Sequence, residues 1–207
     1  MTLDRQRIVA EAVALLDAEG LDGVTTRKLA ARLGVQSPTL YWHVPNKAAL
    51  VTAIADAILD QEFVSMSPPP PDQPWPLWLS GLASRLRRAL LAHPDGARVV
   101  SASQLSRTMA AISELGMSTL VARGVPLRQA RVIVLTVERF TMGHVLEEQA
   151  ARPDAADLQD FDVAAFSERH PTVVAAITEY FAPGRTVDDL FQECLDVVIA
   201  GAIASAA

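Results

Sequence analysis

A single cysteine, Cys194, stands in the 207-residue chain, so no intrachain disulfide can form, and its setting in FQECLDVVIAG reads as that of a small helical core residue. No run of 18 or more apolar residues occurs, which excludes a membrane-spanning helix of ordinary length. At the start, Asp4, Arg5 and Arg7 occupy the place where a signal peptide needs an apolar stretch, so a cytoplasmic protein with no membrane partner is expected. Aromatics are scarce at 5% while hydrophobic residues reach 50%. That balance favours helices packed through small side chains over a β-rich core, and the expected class is all-α.

Catalytic and metal signatures are missing too. There is no nucleophile elbow, Glu-x-x-His pair, zinc motif or glycine-rich phosphate loop, so neither an enzyme nor a cofactor or metal site is expected. The four histidines, His43, His93, His144 and His170, have no ligand spacing. The net charge of −6 is unevenly spread. Residues 1–50 hold six bases and five acids, whereas the rest carries 12 bases and 19 acids. Any affinity for nucleic acid must therefore come from a local N-terminal surface.

Helical periodicity runs from the first residues onward. Ile8, Val9, Ala12, Leu15 and Leu16 mark a helix over about 3–19 with Gly20 as its stop. Thr25 caps a two-turn helix carrying Leu29, Ala30 and Leu33, ended by Gly34. After Val35 and Gln36 a very short helix follows, with Ser37 as cap and Pro38 in its first turn. Pro45 ends it, Asn46 caps again, and Leu50, Ile54, Ile58 and Leu59 share one face of a longer helix. Residues 65–74 contain five prolines and read as an extended connector. Beyond it, helices are expected over 75–93, 106–123, 127–152, 172–181 and 187–206, with an acidic loop holding at most one short helix at 153–171.

Two short helices joined at Gly34, with a third behind them, have the layout of a helix-turn-helix. The second short helix carries Tyr41, Trp42 and His43 in a row, more large amphipathic groups than so short a helix can bury. Some must face outward, with Trp42 open to reading as either a core anchor or an exposed contact. Flanked by Thr39 and Lys47, such groups suit phosphate and sugar contacts.

The string LDGVTTRKLAARLGVQSPTLYWHVPNKAALVTAIADAIL resembles the DNA-binding domain of the tetracycline repressor family, with TTRKLA and TLYWHVPNK as its specific signature. The resemblance is close over about 3–60, weaker over WPLWLSGLASRLRRALLAHPDGARV, strong at FTMGHVLEEQ and absent from about 150–185. It implies a helix-turn-helix domain over 1–47, a connecting helix over 48–64 and a helical ligand-binding and dimerisation domain over 65–207. The implied function is that of a homodimeric repressor that leaves a palindromic DNA operator when a small-molecule inducer binds. A helical carrier or partner-binding protein is the alternative, and Arg27, Tyr41 and Lys47 argue against it, because a carrier has no reason to expose them together.

The resemblance places Ser37, Pro38, Thr39, Tyr41, Trp42 and His43 in the major groove. Arg27 would reach a base edge, its donor fork matching O6 and N7 of guanine. Thr26, Thr39, Tyr41 and Lys47 would hold phosphates. Ser37 stands where tetracycline repressors carry a Gln, which implies a different operator. For the ligand it implies Leu82, Leu86, Val100, Ser103, Met117, Leu135, Arg139 and Glu147, with Arg139 and Glu147 as a ligand contact or an ion pair. The family's drug-bound magnesium needs a His where this chain has Val100, and valine offers no donor, so tetracycline with Mg²⁺ is not the expected inducer. The helices at 127–152, with Val132, Leu135, Phe140 and Gly143, and at 187–206, with Leu190, Leu195, Val198, Ile199, Gly201, Ala202, Ile203 and Ala204, resemble the family's intersubunit bundle.

Overall fold

The computed structural model describes residues 3–103, 105–150, 161–182 and 184–206, and among them are eleven α-helices and no strand. Helix α1 (Arg5–Gly23) opens on Asp4, whose carboxylate accepts from the Arg7 N–H at 2.8 Å. Its Ile8, Ala12, Leu15 and Leu16 are fully buried. Gly20 does interrupt the helix, at φ 69° and ψ −179°, but a further turn runs on to Gly23. A residue with a Cβ resists that backbone, and here a Cβ would also lie 2.8 Å from an Asp95 carboxylate oxygen.

Helix α2 (Thr26–Leu33) is capped by Thr25, which accepts from the Lys28 N–H, and ends at Gly34 in the left-handed region. Helix α3 (Ser37–Tyr41) departs from the expected cap: Gln36 holds that position without a side-chain bond, and Ser37 is already helical. Pro38 explains how an uncapped start is tolerated, because its ring removes one of the N–H groups that a cap would satisfy. Leu40 and Val44 are buried and pin the helix down.

Helix α4 (Lys47–Phe63), capped by Asn46, buries Leu50, Ile54, Ile58 and Leu59 as the periodicity requires, and Val51, Ala53 and Ala55 besides. Burial on more than one face follows from its place at the centre: it packs against α1 and against α5 (Trp75–Leu91), α6 (Gly96–Ala102) and α7 (Arg107–Ala122). The proline segment between α4 and α5 is not helical, and the Arg123 guanidinium donates to its Pro70 and Gln73 carbonyls at 2.7 and 3.1 Å.

Helix α8 (Leu127–Glu148) packs against α5, α6, α7 and α11 (Val187–Ala206), and one continuous core runs from Ile8 to Ala202. Helices α5 and α8 stop two and four residues short of the expected 93 and 152. The α6 segment carries no expected helix. It has seven residues and no side-chain cap, and it starts from Asp95 in the left-handed region at φ 56°. Short helices α9 (Val163–Arg169) and α10 (Pro171–Tyr180) contact each other and bury no residue. Residues 153–160 of the acidic loop, and 151–152 before it, lie outside the described residues. Cys194 is half-buried in α11, not a full core residue.

Candidate functional site

The surface of α2 and α3 is set by which residues the core claims. Leu29, Ala30, Leu33, Leu40 and Val44 turn inward, and α1 packs behind α2. The residues left outside include Arg27, Pro38, Thr39, Tyr41, Trp42 and Lys47, all exposed, and Thr26, Ser37 and His43, half-buried. Trp42 is 89% exposed, so the core-anchor reading fails for it. Leu40 does that work instead. Two nearby bases are already engaged: Lys28 pairs with Glu19 and Arg32 with Glu11. Arg27 and Lys47 have no acidic partner among the described residues, and the same holds for exposed Arg5 at the start of α1, which motif reasoning passed over. The free positive charge thus flanks α3.

The turn between α5 and α6 joins this head to the rest of the core. Asp95 accepts from the Leu21 N–H at 2.9 Å at the break in α1, and that bond, with help from Arg98, holds its carboxyl below the usual range. His93 Nδ1 lies 2.6 Å from Asp17 on α1, and Arg98 reaches Asp22. From the other side, Gln149 at the end of α8 accepts from the Ala97 N–H at 3.1 Å and donates to the Leu90 and His93 carbonyls at 2.9 and 2.8 Å. One amide therefore satisfies the end of α5 and the start of α6 together. Gly96 is required there, since a Cβ would meet the Leu90 carbonyl oxygen at 2.1 Å.

The eight residues implied for a ligand differ widely in burial. Leu82 and Leu86 are fully buried and Val100 nearly so. Ser103, Met117 and Leu135 are half-buried, and Arg139 and Glu147 are exposed. Ser103 donates its hydroxyl to the Val100 carbonyl at 2.7 Å. Leu82 lines a cleft of about 450 Å³ between α5 and the proline segment. Arg139 and Glu147 form no ion pair with each other within the described residues, because eight positions set them two turns apart. The neighbouring Glu148 makes the pair instead, meeting Arg87 in a double contact at 2.8 Å, and Arg87 also binds Asp188 and lies over the Phe191 ring. Phe140 and His144 pack against that ring. Sequence reasoning passed over Glu138, which is 3% exposed and accepts from the Ser113 hydroxyl at 2.7 Å. A lone acid in RVIVLTVERF is the signal that could have found it.

On the outer side of α8 and α11, Val132, Ile133, Thr136, Val197, Val198, Gly201, Ala202 and Ser205 line a mainly apolar groove of about 350 Å³. Val132 and Val197 are 59% and 73% exposed, whereas Leu195 and Ile199 on α11 face the chain's own core. Among the described residues no helix is long and apolar enough to cross a membrane, and no three His, Cys, Asp or Glu side chains group to hold a metal.

A helix-turn-helix head with an exposed, aromatic second helix, seated on a larger helical domain, defines a DNA-binding transcription regulator. Residues 8–54 match the model of bacterial regulatory proteins of the tetR family, and residues 67–205 match the tetracyclin repressor-like C-terminal domain. The chain belongs to the tetR family, whose members are non-enzymatic regulators of transcription. It is 37% identical to the class A tetracycline repressor from transposon 1721 of Escherichia coli over 96% of this chain and 90% of that protein. The class C repressor of Escherichia coli is 34% identical over the same shares. Among solved structures it is similar to a variant of TetR from Acinetobacter baumannii AYE in complex with minocycline (TM-score 0.75, 31% identity, covering 100% and 99% of the two chains). It is also similar to ActR of Streptomyces coelicolor in complex with (S)-DNPA (TM-score 0.82, 28% identity, both chains covered fully).

Proposed function

We propose that the chain is a homodimeric repressor that holds a palindromic operator and leaves it when a small molecule enters the helical domain. In this reading residues 1–47 read DNA, 48–64 connect, and 65–207 bind the inducer and the second subunit. The observation that carries it is α3 itself: a helix anchored by Leu40 and Val44 that leaves Trp42 89% exposed, with the charges of Arg27 and Lys47 before and after it in the chain unpaired among the described residues. A protein with no use for that surface would gain by burying or replacing the tryptophan.

Ser37, Pro38, Thr39, Tyr41, Trp42 and His43 enter the major groove, Arg27 reads a base, and Thr26, Thr39, Tyr41 and Lys47 hold phosphates. The half-buried Ser37 hydroxyl is not spent on the cap and is available to a base edge. Two heads must lie about 34 to 36 Å apart to meet successive grooves, so a ligand that tilts α4 and spreads them removes both half-sites together. The bonds of Asp95, His93 and Gln149 give that tilt a physical route from α8 to α1. Operator and inducer then weaken each other by one factor.

The relatives bound to minocycline and to (S)-DNPA support a small-molecule inducer as a class. Val100, 4% exposed and without a donor atom, speaks against a magnesium-bound drug here. The test is selection of sites from a random duplex library by the purified protein at physiological salt. A palindrome with half-sites about one helical turn apart is the expected result, and recovery of no consensus would overturn the proposal.

A further inference from the structure

The repressor reading leaves one buried charge without a role. Glu138 on α8 is 3% exposed, and its single hydrogen-bond partner among the described residues is the Ser113 hydroxyl on α7 at 2.7 Å. Burial pushes its carboxyl up to about 7, against the Ser113 bond and the charge of exposed Arg139 beside it, the one charged group acting on it among the described residues. An acid in this setting costs folding free energy that a Gln or Leu would not, which marks the position as one kept for a ligand.

The surroundings of Glu138 are unusual in kind. Met109, Ser113 and Met117 recur every four residues along α7, and Met142 follows Glu138 by four on α8. All three methionines are only partly buried against the core. The seam is closed at one end, where a Cβ on Gly116 would lie 3.0 Å from a Val134 methyl. The register that sets Gly116 against Val134 and Ser113 against Glu138 brings Met109 opposite Met142 one turn further on. Unbranched thioether side chains change rotamer at low cost, so this end of the seam can open where a wall of β-branched residues could not.

We propose that the seam between α7 and α8 admits an amphiphilic organic cation, its ammonium paired with Glu138 and its apolar body lying between Met109 and Met142. The inference rests on the reading of the C-terminal helices as an inducer domain, and it supplies the chemical class of the inducer. Above pH 7 the Glu138 carboxylate is already formed and below it the group releases its proton to water on binding, while the ligand keeps its own, so the pair is carboxylate and ammonium in either case. A neutral ligand gains at most a hydrogen bond from the acid, without the attraction of opposite charges, and an anionic one is repelled by it.

The test is calorimetric titration of the full chain at pH 8 with n-decylammonium chloride and sodium decanoate below their micelle concentrations and n-decanol below its solubility limit. Decylammonium is expected to bind on the order of tenfold or more tighter than decanol, the scale of a charge-assisted hydrogen bond, and decanoate the weakest. In Glu138→Gln that preference disappears, while Ser113→Ala keeps it, which separates a charge partner from a merely structural bond. In the unsubstituted chain, lowering the pH from 8 to 6 weakens decylammonium by about tenfold as Glu138 takes a proton. Equal affinity for ammonium and alcohol, no binding of decylammonium, or a preference unchanged in Glu138→Gln would overturn the inference. Operator release is scored separately: tight binding through Glu138 without release upholds the site and removes the inducer reading.

Discussion

Trp42 and Glu138 invert the usual rule of burial, one a large aromatic left in water and the other an acid taken out of it. The first was legible as an excess of aromatic groups on a short helix, although periodicity alone left Trp42 between two readings. The second was not, because a single Glu in a helix gives no sign of which face it occupies until the helix is packed. Each residue carries a prediction. Arg27→Ala should cost about 1 to 3 kcal/mol at one base of each half-site and relax preference there. Lys47→Ala should weaken all sequences alike and lower the log–log salt slope by about 0.9 per head, both measured by operator titration across salt. Equal losses on every sequence for both variants would refute the division of roles. For Glu138 the folded carboxyl titrates near 7, above its unfolded value of 4.5. The folded state therefore holds the extra proton between those values, and stability falls as pH rises through that window. Glu138→Gln, neutral throughout, should be more stable than the parent at pH 8 by on the order of 3 kcal/mol, with the gap closing toward pH 4.5, as read from thermal melts across pH.

Several elements announce themselves: Thr25 and Asn46, legible as caps, each accept a backbone N–H at the start of their helices, and Asp4 and Ser106 do the same where spacing alone marked the helix. Where such signals were absent or borrowed, the reading slipped. Ser37 looked like a cap but lies inside α3, since Pro38 relieves the need for one. Gly20 looked like a terminus, yet the turn after it is held by a carboxylate 74 residues away, a contact no local pattern encodes. Helix α6 escaped notice because its start is organised from outside, by Gln149 of α8. That dependence is testable at the scale of the element. Gln149→Ala leaves the Ala97 N–H and the Leu90 carbonyl without their partner, the His93 carbonyl keeping the Gly96 N–H, and should cost about 2 kcal/mol in urea unfolding. A loss below about 1 kcal/mol would mean that water replaces the amide and that α6 does not depend on α8. Where an inducer is in hand, the same variant should also reduce the factor by which it weakens operator binding, since the α5–α6 turn links α8 to α1.

Assembly is the scale at which a single chain shows least, because a surface made for a second copy looks only like exposed apolar area. The sequence offered Gly201, Ala204 and a row of aliphatics on the last helix. Packing divides that row: Leu195, Ile199 and Ala202 serve the chain's own core together with Phe191, whereas Ile203 stays 47% exposed beside Val197, which the row did not include, at 73%. Open space around Gly143 and Gly201, where an added Cβ would meet nothing within 4 Å, extends the same outer face along α8 and α11. If this face joins two subunits, it also sets the distance between two reading heads, and operator affinity depends on it although no residue of it lies near DNA. Val197→Asp places a charge where a partner helix would have to desolvate it, without touching the core. The expected outcome is a monomer by sedimentation equilibrium, an unchanged helical circular dichroism signal, and at least a hundredfold loss of operator affinity as the two half-sites are no longer held by one particle. A Val197→Asp protein that stays dimeric would move the interface elsewhere, and one that is monomeric yet binds as tightly would show that a single head suffices.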